Sequence, residues 1–447
     1  MLFTEALKTW RLSAPIILGE IIQMSVHLAD VAMVGRISYK HLAAASLAGS
    51  IINIPFIIGV GITIAFSQLI SAASGKKDDK KIAHYLFNGF WLCTAAALGL
   101  SLCIHVGAGM LLHLNQEKEV ALLAIPYLRI LGWSLTPLLM FLALKHFIDG
   151  LGKTRVAMVL SLASLPITVF VNWLLIYGHW GFPRMELLGA AYGTLISRLV
   201  VLAAICIVIT RSDALRQYLK MRKTQWTLRW ESLKEFLALG IPISLQLGIE
   251  IAAFTVSAIL IGRLGPVPQA AHQIAFGCAT FTLMVSLGLA QGGSIRISNA
   301  WGREDWVKVN QIAKSTLAIA ALYCLAAGIV FYAFHAQIPL LFNDDPAVVA
   351  AASSLMIVGV FFQASNALQV VASSMLRGIK EVKLPTLFTL AAYWLIGIPA
   401  GYCLAFYAGL GIKGIWLGFT SGLVLSALAL ARRFFRITAK ARACLPA

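Results

Sequence analysis

Two carboxylates deep in long apolar runs of this 447-residue chain, Asp30 in LADVAMVGRIS and Glu250 in LGIEIAAFTVSAILIGRLG, are the leading candidates for chemistry. A charged group at such a depth costs about 2.5–3.5 kcal/mol on insertion scales and usually faces a partner or a wet cavity. Each acid can therefore bind a cation, exchange a proton, or be held neutral for packing alone. A polar run follows at Gln363, Ser365, Asn366 and Gln369, with 363, 366 and 369 spaced by three so that they drift slowly around one helix face. Such a stripe either lines a cavity or joins helices by hydrogen bonds. Gln363 and Gln369, with Gln23 and Gln246, are candidate lining of a substrate cavity. Asn172 and Thr194 are weaker signals, since a lone Asn or Thr in a membrane helix more often serves packing. Arg129, Lys145, Arg198 and Arg296 are read as cations near helix ends, whose long stems let the charge snorkel to the interface.

The elements that must position these groups are membrane helices. The chain is 60% hydrophobic and 12% charged, whereas a soluble domain carries roughly 25% charged residues. Apolar stretches long enough to span about 30 Å at 1.5 Å per residue fall near 12–34, 42–72, 83–110, 120–147, 155–178 and 187–210. A second six fall near 236–262, 270–299, 309–334, 347–376, 383–407 and 411–431. The expected fold is all-α, twelve transmembrane helices in two six-helix bundles related by pseudo-two-fold symmetry. The expected domains are 1–210, a cytoplasmic linker at 211–235, and 236–447 with a basic tail.

The two halves also repeat in sequence. Residues 15–75 match 242–302 without a gap at a constant offset of 227, pairing Pro15 with Pro242, Gly35-Arg36 with Gly262-Arg263, Gly61 with Gly288 and Gly75 with Gly302. Internal repeats of this kind mark transporters. Six crossings per repeat is an even number, so both repeats start on the same side and should be related by an axis along the membrane normal. In this register Gln23 pairs with Glu250 and Asp30 with Ser257. Positions 23 and 30 are two turns apart on one helix face, as are 250 and 257.

The formal charge of +18 does not point to nucleic acid, because Lys and Arg collect on alternate loops: the N-terminus, GKKDDKK at 75–81, Lys153 to Arg155, the linker, the loops at Arg303 and Lys380, and the tail from Arg432. By the positive-inside rule both termini and the linker are cytoplasmic, and GKKDDKK reads as a topology anchor rather than a phosphate site. No short apolar segment with a cleavage site opens the chain, so the first helix is expected to be retained. Seven cysteines show neither CxxC spacing nor histidine partners. GLGKT at 150–154 resembles a P-loop, but Phe147 occupies the first required glycine position. No helix carries a paired-acid, metal-ligand or nucleophile–base arrangement, so neither an enzyme nor a cofactor is expected.

Four stretches resemble the multidrug and toxic compound extrusion (MATE) family: LADVAMVGRIS; PITVFVNWLLIYGHWGFP with ELLGAAYGT; LGIEIAAFTVSAILIGRLG; and FFQASNALQVVASSMLRGIKEVKLP. The last two are similar to the NorM-like branch. The resemblance implies a bacterial inner-membrane antiporter that admits H⁺ or Na⁺ and exports small organic, often cationic, compounds by alternating access, as a monomer within the lipid bilayer. It implies a cation site at Asp30, Asn172 and Thr194, a candidate Na⁺ site, and a second coupling site at Glu250 and Asn366. Asn366 stands where the branch usually has an aspartate and Phe362 where a tyrosine can occur, so the second site should bind Na⁺ more weakly or favour protons. The alternative reading is a lipid-linked oligosaccharide flippase, which needs a basic cavity that few mid-helix Lys or Arg would supply.

Overall fold

The structure, a computed structural model, describes residues 2–113, 117–221 and 226–443. Linker residues Arg222 and Lys223 lie outside these. Among the described residues, twelve helices are long and apolar enough to span a membrane. They are α1 (Leu2–Gly35), α2 (Tyr39–Gly75), α3 (Asp79–Gly107, continued by a tighter turn Ala108–His113), α4 (Lys118–Gly150), α5 (Thr154–Tyr177), α6 (Glu186–Arg211), α7 (Trp230–Gly262), α8 (Pro266–Gly302), α9 (Trp306–Ala333), α10 (Pro346–Gly378), α11 (Lys383–Tyr407) and α12 (Ile412–Ala443). The chain is thus an all-helical, multi-pass membrane protein.

The two ends of the chain are more ordered than hydropathy suggests. Helix α1 begins ten residues before the expected crossing at 12, because its polar opening has partners: Arg296 pairs with Glu5 and donates to Thr9 Oγ1 at 2.6 Å. Helix α12 continues past 431 through the basic tail, burying Phe434 and Thr438, the latter donating to Asn310 Oδ1 at 3.0 Å. Helix α11 contains two wider π-wound segments, Ala391–Gly397 and Cys403–Tyr407, on either side of Pro399. A proline lacks the N–H that a regular helix needs, and the backbone adjusts around it.

By compactness the chain divides into residues 21–244 and residues 1–20 with 245–447. Both divisions fall inside a helix, α1 and α7. In the first unit α4 packs on α2, α3 and α6; in the second its repeat counterpart α10 packs on α8, α9 and α12. The 227 offset is carried into the coordinates, since α2 and α8 start and stop at related residues, 39 with 266 and 75 with 302. It persists beyond the matched window. Lys77 and Glu304 both take a left-handed backbone (φ 55° and 61°), and the following Asp78 and Asp305 cap the next helix through the N–H of Lys81 at 2.9 Å and Lys308 at 3.0 Å. Since Glu304 replaces Lys77, this turn does not depend on a basic side chain, and GKKDDKK is in the first place a helix-turn-helix joint.

Close helix approach repeats as well. A Cβ on Gly61 would lie 2.4 Å from the Ser244 nitrogen inside the first unit, and one on Gly288 would lie 2.7 Å from the Ile17 nitrogen inside the second. Positions 61 and 288 are related by the offset, and so are 17 and 244. Each half's second helix therefore grips the opening stretch of the other half's first helix through a glycine.

Candidate functional site

In the unit spanning 21–244, Asp30 lies on α1 just over a turn before its end at Gly35. The completely buried Asn172 of α5 donates from Nδ2 to Asp30 Oδ1 at 2.6 Å. Room for that amide comes from α6, where a Cβ at Gly193 would stand 2.0 Å from Asn172 Oδ1. Thr194 is buried on the next position of α6, and Tyr177 Oη on α5 donates to the Met33 carbonyl at 3.1 Å, tying α5 to α1. Arg198, one turn beyond Thr194, donates from Nη1 to Ser134 Oγ of α4 at 2.6 Å. Ser134 passes its own proton to the Leu131 carbonyl at 2.7 Å, so the contact is satisfied in both directions. From there the guanidinium charge acts on Asp30, and the buried Tyr127 of α4 lies within electrostatic reach of both. Gln23, two turns back on α1, is half-buried and makes no hydrogen bond to Asp30 among the described residues.

The second acid is held by a different set. Gln246, one turn before Glu250 on α7, donates from Nε2 to Glu250 Oε1 at 3.3 Å. Its orientation is set by the fully buried Ser373 of α10, with contacts of 2.9 Å to Nε2 and 3.1 Å to Oε1. Gln369 of α10 also reaches Glu250, and its Nε2 donates to Thr389 Oγ1 of α11 at 3.1 Å. Arg377 of α10 and Tyr393, in the first π-wound segment of α11, lie within electrostatic reach of the same carboxylate. The strip of α10 turned toward Gln246 and the surroundings of Glu250 therefore carries 369, 373 and 377, spaced by four.

The expected stripe by threes splits accordingly. Gln369 joins the acid, while Gln363 is buried with neither polar atom partnered and Asn366 is buried without a hydrogen bond to Glu250 among the described residues. Gln246, expected to line a cavity, is a direct partner of the acid. Phe362 packs against Trp416, ring centroids 4.9 Å apart, and offers no hydroxyl. Ser257, the repeat mate of Asp30, is buried with its hydroxyl turned to the Phe254 carbonyl at 2.7 Å.

Three of the four cations expected to snorkel need correction. Arg129 is exposed, but Lys145 is buried, Arg296 is paired with Glu5, and Arg198 sits mid-helix against Ser134. Arg377 went unremarked as a partner of Glu250. A signal for both arginines exists in the spacing, since 198 follows Thr194 by four and 377 follows Gln369 by eight, each on its helix's polar face. Among the described residues no group of three or more His, Cys, Asp or Glu could hold a metal ion.

A membrane chain of two repeated six-helix halves, each holding a half-buried acid on an amide N–H donor, has the architecture of a secondary transporter. The MatE family model matches residues 15–174 and again 242–403, one match per half. The chain belongs to this family, the MATE transporters, and is NorM-like. It is 33% identical over 431 residues to the probable multidrug resistance protein NorM of Rhizobium meliloti (strain 1021), covering 95% of this chain and 92% of that one. It is 32% identical to the protein of the same name from Geobacillus kaustophilus (strain HTA426), covering 95% and 94%. Its fold matches an outward-facing multidrug resistance MATE transporter of the MOP superfamily with a TM-score of 0.89, at 21% identity over 98% and 97% of the chains. It matches the eukaryotic MATE transporter AtDTX14 with a TM-score of 0.85, at 21% identity over 99% of both.

Proposed function

We propose that this protein is a cation-coupled antiporter, driven by H⁺ or Na⁺, that exports small organic, often cationic, compounds by alternating access. The observation that carries this reading is the half-buried intramembrane carboxylate in each unit, Asp30 on Asn172 of a neighbouring helix and Glu250 on Gln246, itself fixed by Ser373 of a neighbouring helix, and so sensitive to helix rearrangement. The names of its relatives, multidrug resistance proteins, support the substrate class. A ligand shifts a conformational equilibrium only by its differential affinity for the two states. A cation whose carboxylate changes partners between states has that difference. Each monovalent cation moved inward across 100 mV releases about 2.3 kcal/mol, enough for roughly fifty-fold concentration of a neutral substrate.

The basic loops orient both termini and the linker to the cytoplasm of a bacterial inner membrane, and a doubled chain supplies a complete pathway as a monomer. Efflux of a fluorescent organic cation from vesicles, driven in turn by imposed Na⁺ and proton gradients, tests the reading. Transport under at least one gradient is expected, and no transport under either would overturn it. The interior guanidinia of Arg198 and Arg377 favour a second reading, a flippase for lipid-linked pyrophosphates, since arginine suits phosphate. Each of them lies within electrostatic reach of a carboxylate, however, which reduces the positive charge available to a pyrophosphate. Tight co-purification of such a lipid would favour the second reading.

A further inference from the structure

Helix α12 continues past its membrane crossing as a basic surface that neither acid site uses. It has 32 residues, Ile412–Ala443, and at 1.5 Å per residue about 20 residues cross a hydrocarbon core of about 30 Å. The remainder extends about 18 Å beyond that core. It carries Arg432, Arg433, Arg436, Lys440 and Arg442, and no Asp or Glu follows Glu381 in the sequence.

The extension is two-sided. Phe434 and Thr438 are buried; Thr438 Oγ1 donates to Asn310 Oδ1 of α9 at 3.0 Å, and Asn310 Nδ2 donates to the Trp306 carbonyl at 3.1 Å. This docked side fixes the rotation of the helix. Arg432, Arg436 and Lys440, spaced by four, stand exposed on the opposite side with Arg442, and Arg433 is half-buried at the edge with its Nε unpartnered. Among the described residues none of the five is ion-paired, whereas Lys8 and Arg296 of the same unit share Glu5.

Two structural reasons for such charge fall short. The helix macrodipole favours cations within the last turn, which covers Lys440 and Arg442 but not the three at 432–436. Nor does the duplicated fold call for them. At the repeat offset of 227 the five positions correspond to Ile205, Cys206, Ile209, Asp213 and Leu215, and α6 ends at Arg211.

Depth identifies the partner. The headgroup layer is about 5–7 Å thick on each side of the core, so Arg432, Arg433 and Arg436 lie at the level of lipid phosphates, with Lys440 and Arg442 further out but within a Debye length. Guanidinium groups match phosphate oxygens in pairs. We propose that the exposed face of the α12 extension binds anionic phospholipid headgroups, with Arg432, Arg433 and Arg436 as the phosphate contacts. This requires neither the antiport reading nor a choice of leaflet.

The test titrates fluorescent phosphatidylglycerol, with fluorescent phosphatidylcholine as reference, against the purified full-length protein in neutral detergent. Phosphatidylglycerol should bind more tightly. Arg432→Gln, Arg433→Gln and Arg436→Gln should each weaken it about fivefold, and lysine at the same positions should retain most of the affinity. Lys440→Gln and Arg442→Gln should cost less than about twofold, a loss that added salt removes. Phosphatidylcholine binding and thermal unfolding should stay at the wild-type level throughout. A control variant at another basic turn, Lys76→Gln with Lys77→Gln and Lys80→Gln, should keep phosphatidylglycerol binding. An equal loss in that control would mean that net charge attracts the lipid, and would overturn the proposal. So would unchanged binding in the three arginine variants. Displacement of the lipid at equal concentration by glycerophosphoglycerol, its headgroup without chains, or by an oligonucleotide would also overturn it, making a soluble anion the occupant.

Discussion

The two compact units share a repeat down to individual turns, yet their acid sites do not repeat. Asp30 stands two turns further along α1 than the register position of Glu250 on α7, which in the first half is Gln23. The arginines come from unrelated places, Arg198 from the sixth helix of its half and Arg377 from the fourth. Even so, each unit sets a donating amide on its acid and keeps an arginine and a tyrosine within electrostatic reach of it. Architecture has been kept by duplication and the site reached twice by different side chains. Helix geometry explains how, because a four-element site needs only that some residue of each type face the bundle interior, whereas helix joints need particular backbone shapes.

The comparison breaks most sharply at the acids themselves. Asp30→Asn and Glu250→Gln should each lower gradient-driven efflux roughly 5- to 150-fold, the size of a lost coupling free energy of 1–3 kcal/mol. Full efflux in either variant would show that its unit does not take part. Next in size is Gly193→Ala, which sets a methyl group 2.0 Å from Asn172 Oδ1. It should cost about 1–3 kcal/mol of overpacking and weaken coupling through Asp30, read as a lower melting temperature together with reduced efflux.

The shared part of the comparison is sharpened by paired variants. Gly61→Ala and Gly288→Ala press on backbone at repeat-related positions, and each should destabilise by about 1–3 kcal/mol. Markedly unequal shifts in thermal unfolding would mean that the two grips are not equivalent. Ser373→Ala removes the group that orients Gln246, at about 1 kcal/mol, and should alter the efflux pH profile through Glu250. The smallest effects belong to the helix caps, where Asp78→Ala and Asp305→Ala should each cost about 1 kcal/mol and leave ion dependence unchanged.

Much of this was legible before any coordinates. Hydropathy located all twelve crossings, with α11 at Lys383–Tyr407 matching the expected 383–407. The acids declared themselves because a carboxylate in an apolar run has few innocent explanations. Partners were harder. Arg198 reads like any long cation of a membrane helix until Ser134, sixty-four residues away, is placed against it. The α10 stripe was read by threes, but the residues at Glu250 follow by fours, and which strip of a helix faces a neighbour depends on the crossing angle. The same limit applies to the chain's divisions. Loop composition points to a boundary in the polar linker, whereas compactness divides α1 and α7 internally, at 20 and 244.

The sequence by itself determined that the chain is a doubled, twelve-helix membrane transporter with one acid on the repeat-related face of each half's first helix. Apolar length, glycine and proline register and isolated charge are properties of the chain that no packing alters. Only the tertiary structure decided which side chains meet those acids, that the amides present N–H groups to them, and that the opening turns of α1 pack with residues 245–447. These are contacts between residues distant in sequence, set by helix rotation and crossing angle, and a one-dimensional pattern carries neither.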